Sequence, residues 1–172
     1  GVVTGLNLPI DGLVSGSAFT MNAACTNVRY SGLATGALRL PAGTLQACPQ
    51  RSSILSVAGG ETRFALLIPS LSVNGSLGTS ALKASGRSIS FDLDSGFGAN
   101  DVAIDLGRAS TQSRFKIARL DGKLDGPGVY GTISGGAGQI GEVPLLISEP
   151  CGKWSWKESV LGLDTSLFIP DA

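Results

Sequence analysis

Two stretches near the middle of the chain alternate between apolar and polar side chains. The apolar positions are Ile89, Phe91 and Leu93 in the first stretch and Val102, Ile104 and Leu106 in the second. A period of two predicts β-strands with one apolar and one polar face. Residues 95–100 between them are Gly-rich and too short for a helix, so the stretches are predicted to form an antiparallel hairpin.

The same period recurs in short runs along the rest of the chain, with turn signals about every 8 to 12 residues. Pro69 is predicted to end one of these strands or to mark a sheet edge. Neighbouring strands in such a succession usually lie side by side. The sequence therefore predicts an all-β protein with little or no helix. Its antiparallel meander is expected to curl into an elongated, twisted groove or to form an open β-sandwich.

Composition narrows the class of protein. Charged residues make up 15% of the chain, and 13 basic and 13 acidic side chains cancel, which argues against a nucleic-acid partner because such proteins cluster Lys and Arg. The hydrophobic content of 42% is too high for a disordered chain. No run approaches the length of a membrane-spanning helix. We expect residues 1–172 to form a single β-domain that is a fragment of a longer protein.

Histidine is absent from the chain. This excludes catalysis by Ser-His-Asp or Cys-His groups and most zinc sites. Asp92 and Asp94, with nearby Asn100, could supply oxygen ligands to calcium, but their spacing fits no EF-hand and carboxylates two apart simply line one face of a strand. Nothing brings the other carboxylates to the separation that sugar hydrolysis requires. We expect no enzyme activity, no metal and no cofactor.

Three cysteines, Cys25, Cys48 and Cys151, fit no metal-binding spacing. In an oxidising compartment, Cys25 and Cys48 could close a loop worth about 3 kcal/mol, which would leave Cys151 unpaired. The alternative is three buried free thiols.

Two further features each allow more than one interpretation. Trp154 and Trp156 are predicted to share a strand face, where they could pack in a core, stack on a carbohydrate or lie at a membrane interface. The apolar rows could be an ordinary core sealed by a second sheet, or they could line a groove for acyl chains. A groove is energetically reasonable because each buried methylene contributes about 0.8 kcal/mol.

A further signal lies in residues 117–126, 140–148, 152–154 and 161–164, with the earlier Cys25, Leu38–Leu40 and Cys48–Pro49. The strand and turn patterns of these segments resemble YdbH-type proteins, which belong with the AsmA-like and TamB-like envelope proteins of Gram-negative bacteria. The resemblance covers about half of the chain.

The resemblance implies a periplasmic segment of a protein anchored in the inner membrane, whose apolar trough carries phospholipid between the inner and outer membranes. The resemblance implies no catalytic residue, and it implies that Cys25 and Cys48 pair. The side chains that we expect to line the groove are Ile89, Phe91, Leu93, Val102, Ile104, Leu106, Phe115, Ile117, Leu161 and Leu163. Two alternatives remain, a structural or adhesive β-segment with a closed core and a carbohydrate-binding β-sandwich.

Overall fold

The computed structural model describes residues 1–108, 112–126, 128–141, 143–147, 152–157, 160–164 and 167–168. All regular structure in these residues is β-strand, and the predicted all-β class is confirmed. The strands are β1 (Val2–Thr4), β2 (Gly12–Ser15), β3 (Ala18–Met21), β4 (Thr26–Thr35), β5 (Leu38–Pro49), β6 (Leu55–Ala58), β7 (Glu61–Leu77), β8 (Ser80–Asp92), β9 (Gly96–Leu106), β10 (Ser113–Asp125), β11 (Gly128–Ile140), β12 (Val143–Ile147), β13 (Gly152–Lys157), β14 (Val160–Asp164) and β15 (Leu167–Phe168).

The strands form one open antiparallel sheet. Its main path runs β1-β4-β5-β7-β8-β9-β10-β11-β12-β15, so most strands pair with a neighbour in the sequence, as in a meander. The path forks at β7, where Glu61–Phe64 pair with β6 while the rest of the strand faces β5. It forks again at β11, which pairs with β13 through residues 129–133 and with β12 through residues 136–140.

Apart from the wider gap between β5 and β7, where residues 40–47 and 68–75 have no ladder pair, each of the seven long strands carries an interruption of the regular ladder. We call this set of positions the crease. In four strand pairs the ladder skips one residue on each strand and resumes in the same register. Between β8 and β9 the register itself shifts. The crease residues are Ser31, Ala42, Pro69, Ser88, Asp101, Ala118 and Gly135. Three of them, Ser88, Asp101 and Gly135, have positive φ angles of 46°, 50° and 58°.

The crease explains why the apolar period changes phase within single strands. In β8 the apolar residues that pair across the sheet are at even positions in the first half, Leu82 and Ala84, and at odd positions in the second half, Ile89 and Phe91. A regular strand would turn one of these halves to the opposite face, and an irregular residue between them compensates. A Cβ on Gly86 would lie 3.4 Å from Cδ1 of Ile89, so the apolar side chains of both halves point to the same side of the sheet.

The described strands form a single layer over most of the area of the sheet. The chain exposes 10950 Å² of surface, whereas a compact monomer of 17.4 kDa exposes about 7,900 Å². No large side chain among the described residues is fully buried. The well-buried residues include Ala47, Cys48, Ile54 and Ala65, which gather where β5, β6 and β7 meet.

Cys25 and Cys48 are joined by a disulfide that connects the chain just before β4 to the end of β5. This bond lies beside the small core at the fork of β7, because Cys48 also pairs with Leu67. Cys151 lies outside the described residues.

Two local predictions were wrong. The central hairpin turns at residues 93–95, and β9 already begins at Gly96, so Leu93 lies in the turn and is 56% exposed instead of continuing β8. Pro69 does not end a strand but lies inside β7. Since Pro69 and Ser88 face each other at the crease without a ladder pair, the missing proline N–H costs the sheet no hydrogen bond at that point.

Candidate binding groove

One face of the central sheet is apolar across five neighbouring strands, and we call it the apolar face. Cross-strand pairing places its residues together on both sides of the crease. Its members are Leu66, Ile68, Leu71 and Val73 on β7, Leu82, Ala84, Ile89 and Phe91 on β8, Phe97, Ala99, Val102, Ile104 and Leu106 on β9, Phe115, Ile117 and Leu120 on β10, and Ile133 on β11.

Continuous rows cross this face from strand to strand. On one side of the crease, Ile104 lies between Ala84 on β8 and Phe115 on β10. On the other side, Phe91 lies between Leu66 on β7 and Phe97 on β9. Because paired residues on adjacent strands have side chains in contact, the rows form one apolar surface.

The two faces of the single layer differ in exposure. Phe115 and Ile117 are half-buried, whereas Arg114 and Lys116 on the opposite face are exposed. The same contrast holds in β5, where Leu45 is half-buried between exposed Thr44 and Gln46. Neighbouring apolar side chains on paired strands cover part of each other's surface, whereas the charged side chains of the other face extend into solvent. The apolar face is therefore the less exposed face of the sheet.

Most of the predicted groove residues lie on the apolar face, but in two groups. Val102, Ile104, Leu106, Phe115 and Ile117 lie on one side of the crease. Ile89 and Phe91 lie on the other side, where Phe91 packs edge-on against Phe64 with ring centroids 5.8 Å apart. The two halves of the predicted hairpin are therefore not directly opposite each other.

The remaining three predicted residues have different surroundings. Leu93 lies in the exposed turn after β8. Leu161 and Leu163 lie on β14, in register with Trp156 and Trp154 respectively. The side chains of these two leucines lie outside the described part of the structure.

An aromatic bridge that the sequence did not predict crosses one end of the apolar face. Phe97 on β9 and Trp154 on β13 are separated by two strands, or about 14 Å at ordinary strand spacing, yet their ring centroids are 6.1 Å apart. They meet because the residues between them in the row are Gly122 and Gly131. The indole N–H of Trp154 donates a 3.0 Å hydrogen bond to the carbonyl oxygen of Asp121, which fixes the indole.

A depression of about 700 Å³ lies at this end of the sheet. Its lining combines Phe97 and Trp154 with polar residues of β10, β11 and β13, among them Asp121, Thr132 and Lys153. Phe97 was missed because it sits in the Gly-rich stretch that was interpreted as a loop. Trp156, the second predicted aromatic residue, is 46% exposed.

Charged side chains on the described strands lie mainly on the opposite face or at turns. The Arg119 guanidinium donates two hydrogen bonds to the Asp121 carboxylate, from Nε to Oδ2 at 2.8 Å and from Nη2 to Oδ1 at 3.0 Å. Nη1 of Arg87 lies 4.0 Å from Oδ2 of Asp101. Exposed pairs of this kind contribute little stability. Within the described residues, no three Asp, Glu, Cys or His side chains converge on a point that could hold a metal ion.

Asp92 holds the turn after β8. Its Oδ1 accepts hydrogen bonds from the backbone N–H groups of Ser95 and Asp94, both at 2.9 Å. These bonds lower the pKa of Asp92 below its ordinary 3.8, and the bond from Ser95 has the larger effect. Burial acts in the opposite direction but is the weaker influence. The carboxylate that was considered as a calcium ligand is therefore engaged by the backbone.

The lowered pKa of Asp92 predicts that the stability of the protein changes with pH in the acidic range. A carboxyl group whose pKa is lower in the folded state stabilises that state above its unfolded pKa, and this contribution is lost as the pH falls through the folded value. We expect the wild type to lose stability more steeply below about pH 4 than Asp92→Asn, which keeps an acceptor oxygen but does not titrate. Urea unfolding of both proteins between pH 2 and pH 7 measures this, and parallel curves would contradict it.

No helix long and apolar enough to cross a membrane is present in the part of the chain that the structure describes. Comparison of the chain with protein-family models, with curated proteins and with solved structures gives no match.

Proposed function

We propose that the apolar face is a groove for acyl chains and that the protein is a segment of a bridge-like lipid transfer protein. In this role the parent protein, anchored in the inner membrane, carries phospholipid across the periplasm between the inner and outer membranes. The observation that carries the proposal is the extent of the apolar face, which crosses five strands of a single-layer sheet. A hydrophobic surface of this size without a covering layer is typical of a binding site.

The energetics favour a lipid occupant. Acyl chains offer many methylene groups and no polar atoms, and each methylene removed from water contributes about 0.8 kcal/mol. The side chains around Ile104 and Ile117 supply aliphatic and aromatic contacts without charge. A phospholipid head group can stay in solvent above an open groove, so the proposal requires no dedicated polar pocket.

The disulfide supports a periplasmic location. Bonds such as Cys25–Cys48 persist in oxidising compartments and are rare in the cytosol. The resemblance to the AsmA-like and TamB-like proteins points to the same compartment and to the same class of ligand.

The two alternative functions fit the geometry less well. A closed-core structural segment needs a second layer over the apolar face, and the large exposed surface of the chain argues against one. A carbohydrate site built on both tryptophans needs two accessible indole faces. Trp156 is exposed, but Trp154 packs against Phe97 and donates its N–H to the carbonyl oxygen of Asp121.

Lipid analysis of the purified protein tests the proposal. The chain is secreted to the periplasm of a Gram-negative host, purified without detergent, and examined by native mass spectrometry and by solvent extraction. We expect bound phospholipid in the wild type and at least a tenfold loss in Ile117→Asp, which places a charge on the apolar face. Lys116→Asp is the matched control, because this neighbour points to the opposite face, and we expect it to retain lipid.

The folded state of both variants is checked by circular dichroism. Should Ile117→Asp fail to fold, displacement of a fluorescent fatty acid from the wild type by phospholipid provides the second measurement. A wild type that carries no lipid and binds no fatty acid would contradict the proposal, as would equal lipid content in the two folded variants.

A further inference from the structure

The strands β5 and β7 are neighbours in the middle of the sheet, but the ladder joins them only at their ends. One end is closed by pairs that include Arg39 with Ser76. The other end is closed by pairs that include Cys48 with Leu67, and the register is the same as at the first end. The stretches between the ends have no ladder pair, and we call them the seam. They are residues 40–47 of β5 and 68–75 of β7.

The seam lies where the crease is out of line. In four other strand pairs the crease residues face each other across the ladder. At the register shared by both ends of the seam, however, Ala42 of β5 is aligned with Val73. The crease residue of β7, Pro69, is aligned with Gln46, so the two interruptions are four positions apart. Pro69 and Pro41, which both lie in the seam, also lack an N–H to donate.

Between the two interruptions the side chains of β5 and β7 are out of phase. Half-buried Leu45 is aligned with exposed Ser70. At the next position, exposed Thr44 is aligned with half-buried Leu71. Directly opposite residues of a regular antiparallel ladder point to the same face of the sheet. The sequence of the two strands therefore prevents a regular ladder along the seam.

The seam leaves one motion free because both of its ends are fixed. The end at Cys48 adjoins the disulfide and the small core. Near the other end, the N–H of Gly78 donates to the carbonyl oxygen of Ala37 at 2.8 Å, so the strands can neither slide nor separate. Cross-strand hydrogen bonds set the spacing of adjacent strands and the angle between them. Where the ladder is missing this angle is least restrained, and the sheet can bend about the line that joins the two ends.

The strands β4 and β5 carry a smaller apolar surface next to the seam. A Cβ on Gly75 would lie 2.7 Å from Cδ2 of Leu40. Gly75 follows Val73 of the apolar face at a spacing of two, so Leu40 points to the same side of the sheet. Bending along the seam therefore moves this surface toward the apolar face or away from it. The members of the smaller surface form the pairs Val28–Leu45 and Leu33–Leu40.

We propose that the seam is a hinge and that β4 and β5 fold toward the apolar face when an acyl chain is bound there. The identity of the ligand rests on the proposed function. An acyl chain on an open face keeps one side in water, and closing covers that side and buries more methylene groups. Because a ligand shifts a conformational equilibrium by its difference in affinity for the two states, this extra burial favours the closed state. Bending back releases the chain without breaking any strand pair.

Distances between two spin labels, measured by pulsed electron paramagnetic resonance, test the hinge. In a Cys151→Ser background, Arg29→Cys on β4 and Ala137→Cys on β11 place exposed labels on opposite sides of the seam. The matched control combines Ala137→Cys with Ser72→Cys on β7, because these residues lie in one continuous row of paired strands. Without lipid, we expect the distance distribution across the seam to be about twice as wide as that of the control. Saturating oleic acid is expected to narrow it to the control width and to shift its mean.

Hydrogen exchange of the wild type provides a measurement without substitutions. The N–H of Gly78 points to β5, and alternate residues of a strand point to the same edge, so the N–H groups of Ser72 and Asn74 point into the seam. Those of Leu71 and Val73 point to β8 and are the internal control. We expect the two seam amides to exchange about tenfold faster than the two control amides.

The outcomes separate the hinge from the proposed function. Equal widths for the two label pairs in the lipid-free protein, or equal exchange of the two sets of amides, would overturn the hinge. A protein that binds oleic acid but keeps an unchanged distribution across the seam would also overturn it and would leave the proposed function intact. A protein that binds no fatty acid but shows the wide distribution would contradict the proposed function and support the hinge.

Discussion

Gly131→Ala is expected to destabilise the protein by about 2 to 3 kcal/mol, although it adds a single methyl group. The new Cβ would overlap the carbonyl oxygen of Asp121 and would lie 2.7 Å from Cα of Gly122. Both obstacles are backbone atoms of β10, so no side-chain rotation relieves them and the two strands must separate. The same movement would part Phe97 from Trp154 and weaken the aromatic bridge.

The matched control is Gly86→Ala, in the interior of β8. Its new Cβ would lie 3.4 Å from Cδ1 and 3.6 Å from Cγ1 of Ile89 and 3.8 Å from the carbonyl oxygen of Asn100, which are ordinary contacts. Because alanine restricts the unfolded chain more than glycine, the control is expected to be neutral or stabilised by up to about 1 kcal/mol. Thermal unfolding measures both, with a melting temperature lower by about 4 to 12 °C for Gly131→Ala. Equal melting temperatures would contradict the tight approach of β10 and β11.

Removal of the disulfide is the second change for which a large effect is expected. Cys25 and Cys48 are separated by 23 positions, and closing a loop of that length stabilises a protein by about 3 kcal/mol in the chain-entropy model. The double variant Cys25→Ala/Cys48→Ala is therefore expected to melt about 6 to 12 °C below the wild type. Few other groups can compensate, because the bond adjoins the small core at the fork of β7.

Reduction of the wild type provides the control for this prediction. A reducing agent is expected to lower the melting temperature of the wild type to that of the double variant and to leave the variant unchanged. An unchanged melting temperature on reduction would show that the bond contributes nothing to stability. A further loss in the variant would mean that the reagent acts on another group.

The period-two pattern was sufficient to predict the strands and most of the apolar face. Residues such as Ile104 and Phe115 alternate with polar neighbours, and this local signal survives folding because cross-strand pairing preserves the alternation. The position of the central turn was not predictable in the same way. Glycines at 96 and 98 indicate a loop, but Asp92 closes the turn earlier by accepting two backbone hydrogen bonds.

The crease and the forks lay beyond local pattern. A change of phase between Ala84 and Ile89 looks in the sequence like the end of one strand and the start of another. Only the pairing partners show that the strand continues, since Arg87 and Ile89, on either side of Ser88, both pair with β7 in the same register. The contact of Phe97 with Trp154 joins residues 57 positions apart through three successive strand pairings, which no local signal contains.

The order of the strands also affects how the sheet can assemble while the chain is being synthesised. From β7 to β12 each new strand adds to the one that precedes it in the sequence, so the growing edge always offers the template for the next segment and loop-closure costs stay small. Two later strands depart from this order: β13 passes β12 to reach the other half of β11, and β15 returns to β12. Assembly can therefore proceed in one direction from the N-terminal half, with the docking of Trp154 onto Phe97 as a late step that locks the finished end.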